Sequence, residues 1–272
     1  MVSTLVLPVV ARRVERHWAN AFAVVGRNAV AARHYGYWWV LFSGFFEPLL
    51  YLLSIGFGVG ALVGDFRLAD GRIVSYAAFV APAMLAASAM NGAISESTFN
   101  FFGKMKYMRL YDGVVATPVT PIDVAVGELM WAMLRGAVYS AAFLAIMAWM
   151  DLTTPLWALA AFPATMAVGF TFGAVGMMLS TFVRSWPDFD YVMVAQFALF
   201  LFSGTFAPVN SFPAVMRVAV EFTPLYHGVE VVRSLTTGVL GWSMLWHLTY
   251  LAVLTVVGLR IAGRRMNSLL CK

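Results

Sequence analysis

TPIDVAVGELMWAMLRGAVYSAAFLAIMAWM, residues 120–150, decides the fold. Thr120 can cap a helix, Pro121 suits the first helical position, and Asp123 stands where a capping box places its acid. Beyond that start, only Glu128 and Arg135 interrupt an apolar run up to Met150. A membrane crossing takes about 20 residues, so a helix this long and this apolar reads as a span.

Working outward, the same reading predicts five more spans. The first covers about Tyr37–Val63, the second Val74–Phe102, and the third is Ile122–Met150 itself. The fourth, Pro155–Phe182, starts after Thr154 in the same way; the fifth runs from Pro187 to Gly204 and the sixth covers Gly241–Ile261. Between the last two, Thr205–Leu240 is apolar but broken by Pro208, Pro213, Pro224 and Gly238. Its two segments are each too short to cross. A pair that dips in and returns keeps its backbone bonded internally, so the stretch is expected to be an external re-entrant hairpin. At the amino end, residues 11–34 alternate basic and apolar positions, and Trp18, Phe22 and Val25 share a helical face. This reads as an interfacial helix on the cytoplasmic leaflet, the alternative being a basic tail. The expected fold is all-α and integral to the membrane: residues 1–36 as the interfacial helix, residues 37–272 as one six-span domain.

Composition agrees. The chain is 61% hydrophobic and 11% charged, against roughly 25% charged for a soluble domain, and the spans leave no room for a soluble catalytic domain. The formal net charge of +5 does not form a basic face for nucleic acid, because the cations flank apolar runs. With both ends inside, thirteen Lys and Arg fall on the cytoplasmic side and four outside, with Arg135 inside the third span, as the positive-inside rule requires. The acids Asp188 and Asp190 fit that pattern least well. This places the chain in a bacterial inner membrane with both termini cytoplasmic. Arg12, Arg13 and Arg16 follow the short apolar start, the reverse of a cleavable signal, so the amino terminus reads as retained. The single Cys271 has no disulfide partner in the chain.

Enzyme signatures are missing: no GxxxxGK, HExxH, CxxC or GxSxG occurs. The histidines, His17, His34, His227 and His247, show no pair at ligand spacing, and no metal site is expected. Ionisable residues inside the membrane are costly and mark function by default, which singles out Glu47, Glu96, Glu128 and Arg135. Glu47 precedes Pro48 and either serves transport or caps a kinked turn. Glu96 lies in a polar run with Asn91, Ser95, Ser97, Thr98 and Asn100 that would line a wet surface. Glu47, Asn91 and Glu96 are thus the candidate translocation path. Glu128 and Arg135 share a face but stand two turns apart, so each is expected to bond a neighbouring helix. Gly169 and Gly173 form a GxxxG, with Gly176 beyond, suited to close helix packing. The tryptophans near span ends, Trp38, Trp39, Trp131, Trp149, Trp157, Trp186, Trp242 and Trp246, read as an aromatic belt.

The connection after the second span mixes cations with Met105, Tyr107, Met108, Leu110 and Tyr111 at helical spacing. It reads as a short amphipathic helix that either lies on lipid or fills a groove on a partner, with Asp112 and a Thr-Pro turn projecting from the membrane. Together, FGKMKYMRLYDGVVATPVTPIDVAVGELMW and FSGTFAPVNSFPAVMRVAVEFTPLYHGVEVVRSLTTG (Phe202 to Gly238) resemble the ABC-2 type permease family. The likeness is strongest to nodulation lipo-oligosaccharide export permeases and related drug-resistance permeases. The resemblance implies a permease paired with a second permease chain, identical or different, and docked on two copies of an ABC ATPase subunit that carries the ATP and Mg. This chain would then bind no cofactor and hydrolyse nothing. It also implies a coupling helix at about Lys104–Val114, with Lys104, Lys106, Tyr107, Arg109, Leu110, Tyr111 and Asp112 as coupling residues, and a re-entrant hairpin at about Pro208–Thr237. Similar proteins export drugs, glycolipids or polysaccharides. An ion-coupled secondary transporter using Glu47, Glu96 or Arg135 is the alternative; an embedded enzyme is disfavoured because the acids do not cluster.

Overall fold

The computed structural model describes residues 3–34, 46, 49–67, 71 and 73–270. Helix α1 (Ser3–His34) precedes α2, the described end of the first span at residues 49–63. Glu47, Trp38, Trp39 and the start of that span lie outside the described residues. A small antiparallel ribbon follows, β1 (Asp65–Arg67) against β2 (Ile73–Ser75), with Phe66 opposite Val74. The rest is helical: α3 (Tyr76–Tyr107), α4 (Leu110–Val115), α5 (Pro121–Trp149), α6 (Pro155–Ser180), α7 (Phe189–Leu201), α8 (Ala214–Glu221), α9 (Pro224–Thr237) and α10 (Ser243–Leu270). Helices α3, α5, α6 and α10 are long and apolar enough to cross a membrane.

Local chemistry sets the boundaries. Ser75 caps α3 by accepting from the Ala78 N–H at 3.2 Å, and Thr154 caps α6 through Trp157 at 3.5 Å. The capping box of α5 is present, with Pro121 in its first turn. Helix α3 runs past the predicted Phe102 to Tyr107 by loosening into wide turns at Glu96–Asn100 and Gly103–Tyr107. Ser97 and Thr98 donate there to the Ala93 and Ile94 carbonyls at 2.7 and 2.6 Å, satisfying groups that the wide turn frees. Helix α7 has 13 residues, about 20 Å at 1.5 Å per residue, and so ends short of the predicted Gly204. Buried Ser203 and Thr205 donate to the Leu199 and Phe200 carbonyls, which is how irregular backbone is kept off lipid. The stretch from Thr205 to Leu240 forms two short helices, α8 and α9, with Pro213 and Pro224 at their starts and Gly238 (φ 71°) at the end. Helix α10 extends beyond the predicted Ile261; Arg265 donates to the Thr181 hydroxyl and carbonyl, both at 3.2 Å, and covers the Phe182 ring at 3.9 Å.

Helix α6 is the hub, packing against α3, α5, α9 and α10. The core joins Met90, Phe143, Met147, Phe172, Leu225 and Val232 from these helices. A smaller core at the other end gathers Phe101, Tyr111, Val124, Leu129, Met177 and Met266. The hub's glycines differ in importance. A Cβ at Gly169 would meet its nearest neighbour, the Met133 methyl, at an ordinary 3.5 Å, whereas one at Gly176 would fall 2.2 Å from Ser97 Oγ and 3.4 Å from the Ile94 Cα. Gly173 is intermediate, blocked at 2.6 Å by a Leu129 methyl that can rotate. Gly176→Ala is therefore expected to destabilise by about 2 kcal/mol and Gly169→Ala by well under 1 kcal/mol, read as thermal midpoints of the purified variants.

Candidate functional site

The charged rim at the Tyr111 end of the bundle is built on α5. Asp123 accepts the Thr120 N–H at 2.9 Å to close its capping box, and its carboxylate also holds Asn20 at 2.8 Å and His17 at 2.5 Å from α1. Further along the helix, buried Glu128 holds Arg27 at 2.7 Å, Asn28 at 3.0 Å and, from the end of α3, Lys104 at 2.7 Å. Ala21 and Val24 are buried between these two polar contacts, with Gly127 beneath them. Trp18 and Phe22 stay exposed on the other face of α1, free to enter lipid. One helix thus presents a small-residue face to the protein and an aromatic face to the membrane.

The predicted coupling helix at Lys104–Val114 is corrected here. Gly103–Tyr107 completes α3, the chain turns at Arg109 in the left-handed region (φ 46°), and α4 begins at Leu110. Lys104 reaches in to Glu128. Tyr111 is wholly buried against Phe101, with Arg27 5.9 Å from its ring centroid. Burial, then the Glu128 carboxylate, push the Tyr111 phenol far above its ordinary range. Tyr111 is closed off by packing, and Lys104 keeps 21% of its side chain exposed while one buried acid draws its ammonium inward. Lys106, Tyr107, Met108, Arg109, Leu110 and Asp112 remain exposed. Tyr107 stacks on Trp186 at 5.4 Å and Lys106 donates to the Arg184 carbonyl, tying this turn to the α6–α7 connection. Asp188, one of the two acids that fit the charge pattern least, accepts the Arg184 and Ser185 N–H groups at 2.8 and 3.1 Å. Those bonds hold its carboxyl below the usual range.

In the membrane the three path candidates part company. Asn91 lines a cavity of about 320 Å³ between α2, α3, α5 and α7, with Tyr51, Met84, Ser88, Phe143, Gln196, Phe197 and Phe200. Gln196 donates to Asn91 at 3.2 Å across it. Glu96 instead pairs with Arg135 in a crevice of about 90 Å³ between α3 and α5. Five residues apart on a helix, Asn91 and Glu96 point to different sides, and the pairing answers the charge of both Glu96 and Arg135. The predicted wet run also divides, since Ser97 and Thr98 are buried while Asn91, Ser95 and Asn100 face outward or partly so. Glu47 is outside the described residues.

The histidines are not scattered. His227 on α9 and His247 on α10 lie Nδ1 to Nδ1 at 2.7 Å, both buried, a pairing that sequence spacing did not reveal. Among the described residues no group of three or more His, Cys, Asp or Glu could hold a metal ion.

Apolar spans around a glycine-lined hub, with a charged rim at one end and an aromatic cavity among the spans, define a multi-pass transporter subunit. The chain belongs to the ABC-2 type transporter family, which it matches over residues 21–236. It is similar to nodulation protein J of Rhizobium leguminosarum bv. trifolii, 33% identical over 193 residues that cover 71% of this chain and 72% of the relative. Nodulation protein J of Rhizobium leguminosarum bv. viciae is 30% identical over 212 residues, 78% of this chain and 80% of the relative. That of Azorhizobium caulinodans is 25% identical over 255 residues, 92% and 97% of the two chains.

Proposed function

We propose that this chain is the permease subunit of an ABC exporter in the bacterial inner membrane, driven by two copies of a separate ATPase subunit that hold ATP and Mg. It pairs with a second permease, the same chain or another, and moves a drug, glycolipid or polysaccharide-type substrate outward. The observation that carries this reading is the turn at Met108–Asp112. It displays Met108, Arg109, Leu110 and Asp112 to solvent, while the underlying Lys104 is paired with Glu128 of α5, which also holds Arg27 of α1, and Tyr111 is buried against Phe101 of α3. A force applied to that exposed turn is passed into α3, α5 and α1 together. The cavity that Asn91 shares with Gln196 and the aromatic side chains supports passage of a molecule with an apolar part, between the first, second and fifth spans. For ATP to drive transport, the two states of the permease must differ in what they offer the ATPase.

The test is a complex of permease and ATPase reconstituted in liposomes. Arg109→Ala/Leu110→Ala/Asp112→Ala removes exposed side chains only, and is expected to lower transport-coupled ATP hydrolysis roughly tenfold or more, as loss of one interface hot spot of about 2 kcal/mol would. The thermal midpoint of the permease should be unchanged. Full coupling in that triple variant, or sustained uphill transport by the permease alone, would overturn the reading.

A further inference from the structure

We infer that His227 and His247 form a proton-operated latch that holds the short helix pair α8–α9 against α10, and that acid releases it. The contact is a close one between two helices 20 residues apart in sequence, Nδ1 to Nδ1 at 2.7 Å, with His227 2% and His247 9% exposed. Such a bond needs one proton between the two nitrogens, so both rings are neutral and in complementary tautomers. Either ring can supply that proton, and the latch needs only that one does.

The surroundings leave no room for a second proton. Tyr250 from α10 stacks on the His227 ring at 3.9 Å, and Tyr226 from α9 meets both imidazoles edge-on at 5.5 and 5.6 Å. Of the charged groups on this side, Glu230 is held by Arg233 at 2.7 Å, and Arg233 also donates to the Gly204 carbonyl at 2.8 Å. Glu221, at the end of α8, is exposed. Helix α6, packed on the other side of α9, contains no Asp, Glu, Lys, Arg or His, and α3 contributes none along Tyr76–Ser95. A second proton between the rings sets two N–H groups against each other, and one on an outer nitrogen buries a cation with no free carboxylate to answer it. The closed pair therefore resists a protonation that the parted rings take up in the ordinary imidazole range, so the α9–α10 contact loses stability as the pH falls through about 6.5.

What the latch holds is the return arm of the hairpin. Arg233 fixes α9 to the chain after α7 and covers the Phe79 ring of α3 at 4.2 Å, and Thr153 donates to the Thr236 carbonyl at 2.7 Å. These contacts fix the Arg233–Thr236 end of α9 to the rest of the bundle and carry no titrating pair, so the His227 end of α9, with α8, is the part that lets go.

Hydrogen exchange of residues 224–237 in the purified permease, corrected for the intrinsic effect of pH, tests this without the ATPase or any substrate. Between about pH 7.5 and pH 5.5, exchange in the native chain should accelerate roughly tenfold or more. His247→Asn keeps an amide group that can donate or accept where Nδ1 sits but leaves His227 to titrate, so its acceleration should be smaller than that of the native chain. The paired variant His227→Asn/His247→Asn keeps an amide-to-amide bond and titrates nowhere in this range, so its exchange should change less than about twofold. A flat response in the native chain, or an equal acceleration in the asparagine variants, would sink the latch while leaving the exporter reading untouched.

Discussion

Replacing Glu128 with alanine is expected to cost about 3 kcal/mol, because the partners of a buried acid are left charged and unpaired. Glu128 is 6% exposed at its side chain, and it is shared by Arg27 at 30% and Lys104 at 21%. Those partners are incompletely buried, which sets the cost at the lower end of the range for broken buried pairs. The thermal midpoint should fall by roughly 6–12 °C. The pattern across variants is more diagnostic than the size. Glu128→Gln keeps the shape and should still be strongly destabilised. Adding Lys104→Met to Glu128→Gln should recover much of the loss, since it removes the less exposed of the two cations left unpaired, Lys104 at 21% against Arg27 at 30%. If the double variant is no more stable than Glu128→Gln alone, the acid is not the joint that the geometry makes it.

Much of this joint was written locally and some of it was not. Thr120, Pro121 and Asp123 announce the start of α5 because a capping box is made within four residues. Pro213, Pro224 and Gly238 likewise announce the two short helices before α10, since proline and glycine act on their own backbone. The β-ribbon has a local signal as well: Asp70-Gly71 is a turn dipeptide between two short β-prone runs. Other features are tertiary and have no local mark. Nothing in Arg109–Gly113 asks for a left-handed arginine when a glycine stands four residues on. The family resemblance implied that Lys104 and Tyr111 face the ATPase, yet Lys104 turns in to an acid 24 residues away and Tyr111 packs on Phe101. His227 and His247 meet only because α9 and α10 fold back on each other. Glu128 and Arg135, two turns apart on one helix, were expected to bond neighbouring helices, but their partners, Arg27 and Lys104 for one and Glu96 for the other, could be named only from the packed helices.

Gly127→Ala should lift α1 from α5, the second large effect. An added Cβ would lie 2.6 Å from Val24 Cβ and 2.8 Å from the Ala21 carbonyl oxygen. These are the parts of α1 that no rotamer change can move, so the helix itself must shift. Overpacking of this kind costs about 1–3 kcal/mol on its own. Here the displacement also strains the bonds on either side, His17 and Asn20 to Asp123 and Arg27 and Asn28 to Glu128, because both sets are fixed to the same two helices. Hydrogen exchange should rise across residues 17–34 while α3 and α6 keep their protection. Val24→Ala added to Gly127→Ala should not restore docking, since the Cβ and the carbonyl remain in place. By contrast Gly173→Ala meets only a Leu129 methyl at 2.6 Å, and trimming Leu129 to alanine should relieve that clash. Rescue of Gly127→Ala by Val24→Ala would mean that α1 is held by its side chains and not by the close approach of its backbone to α5.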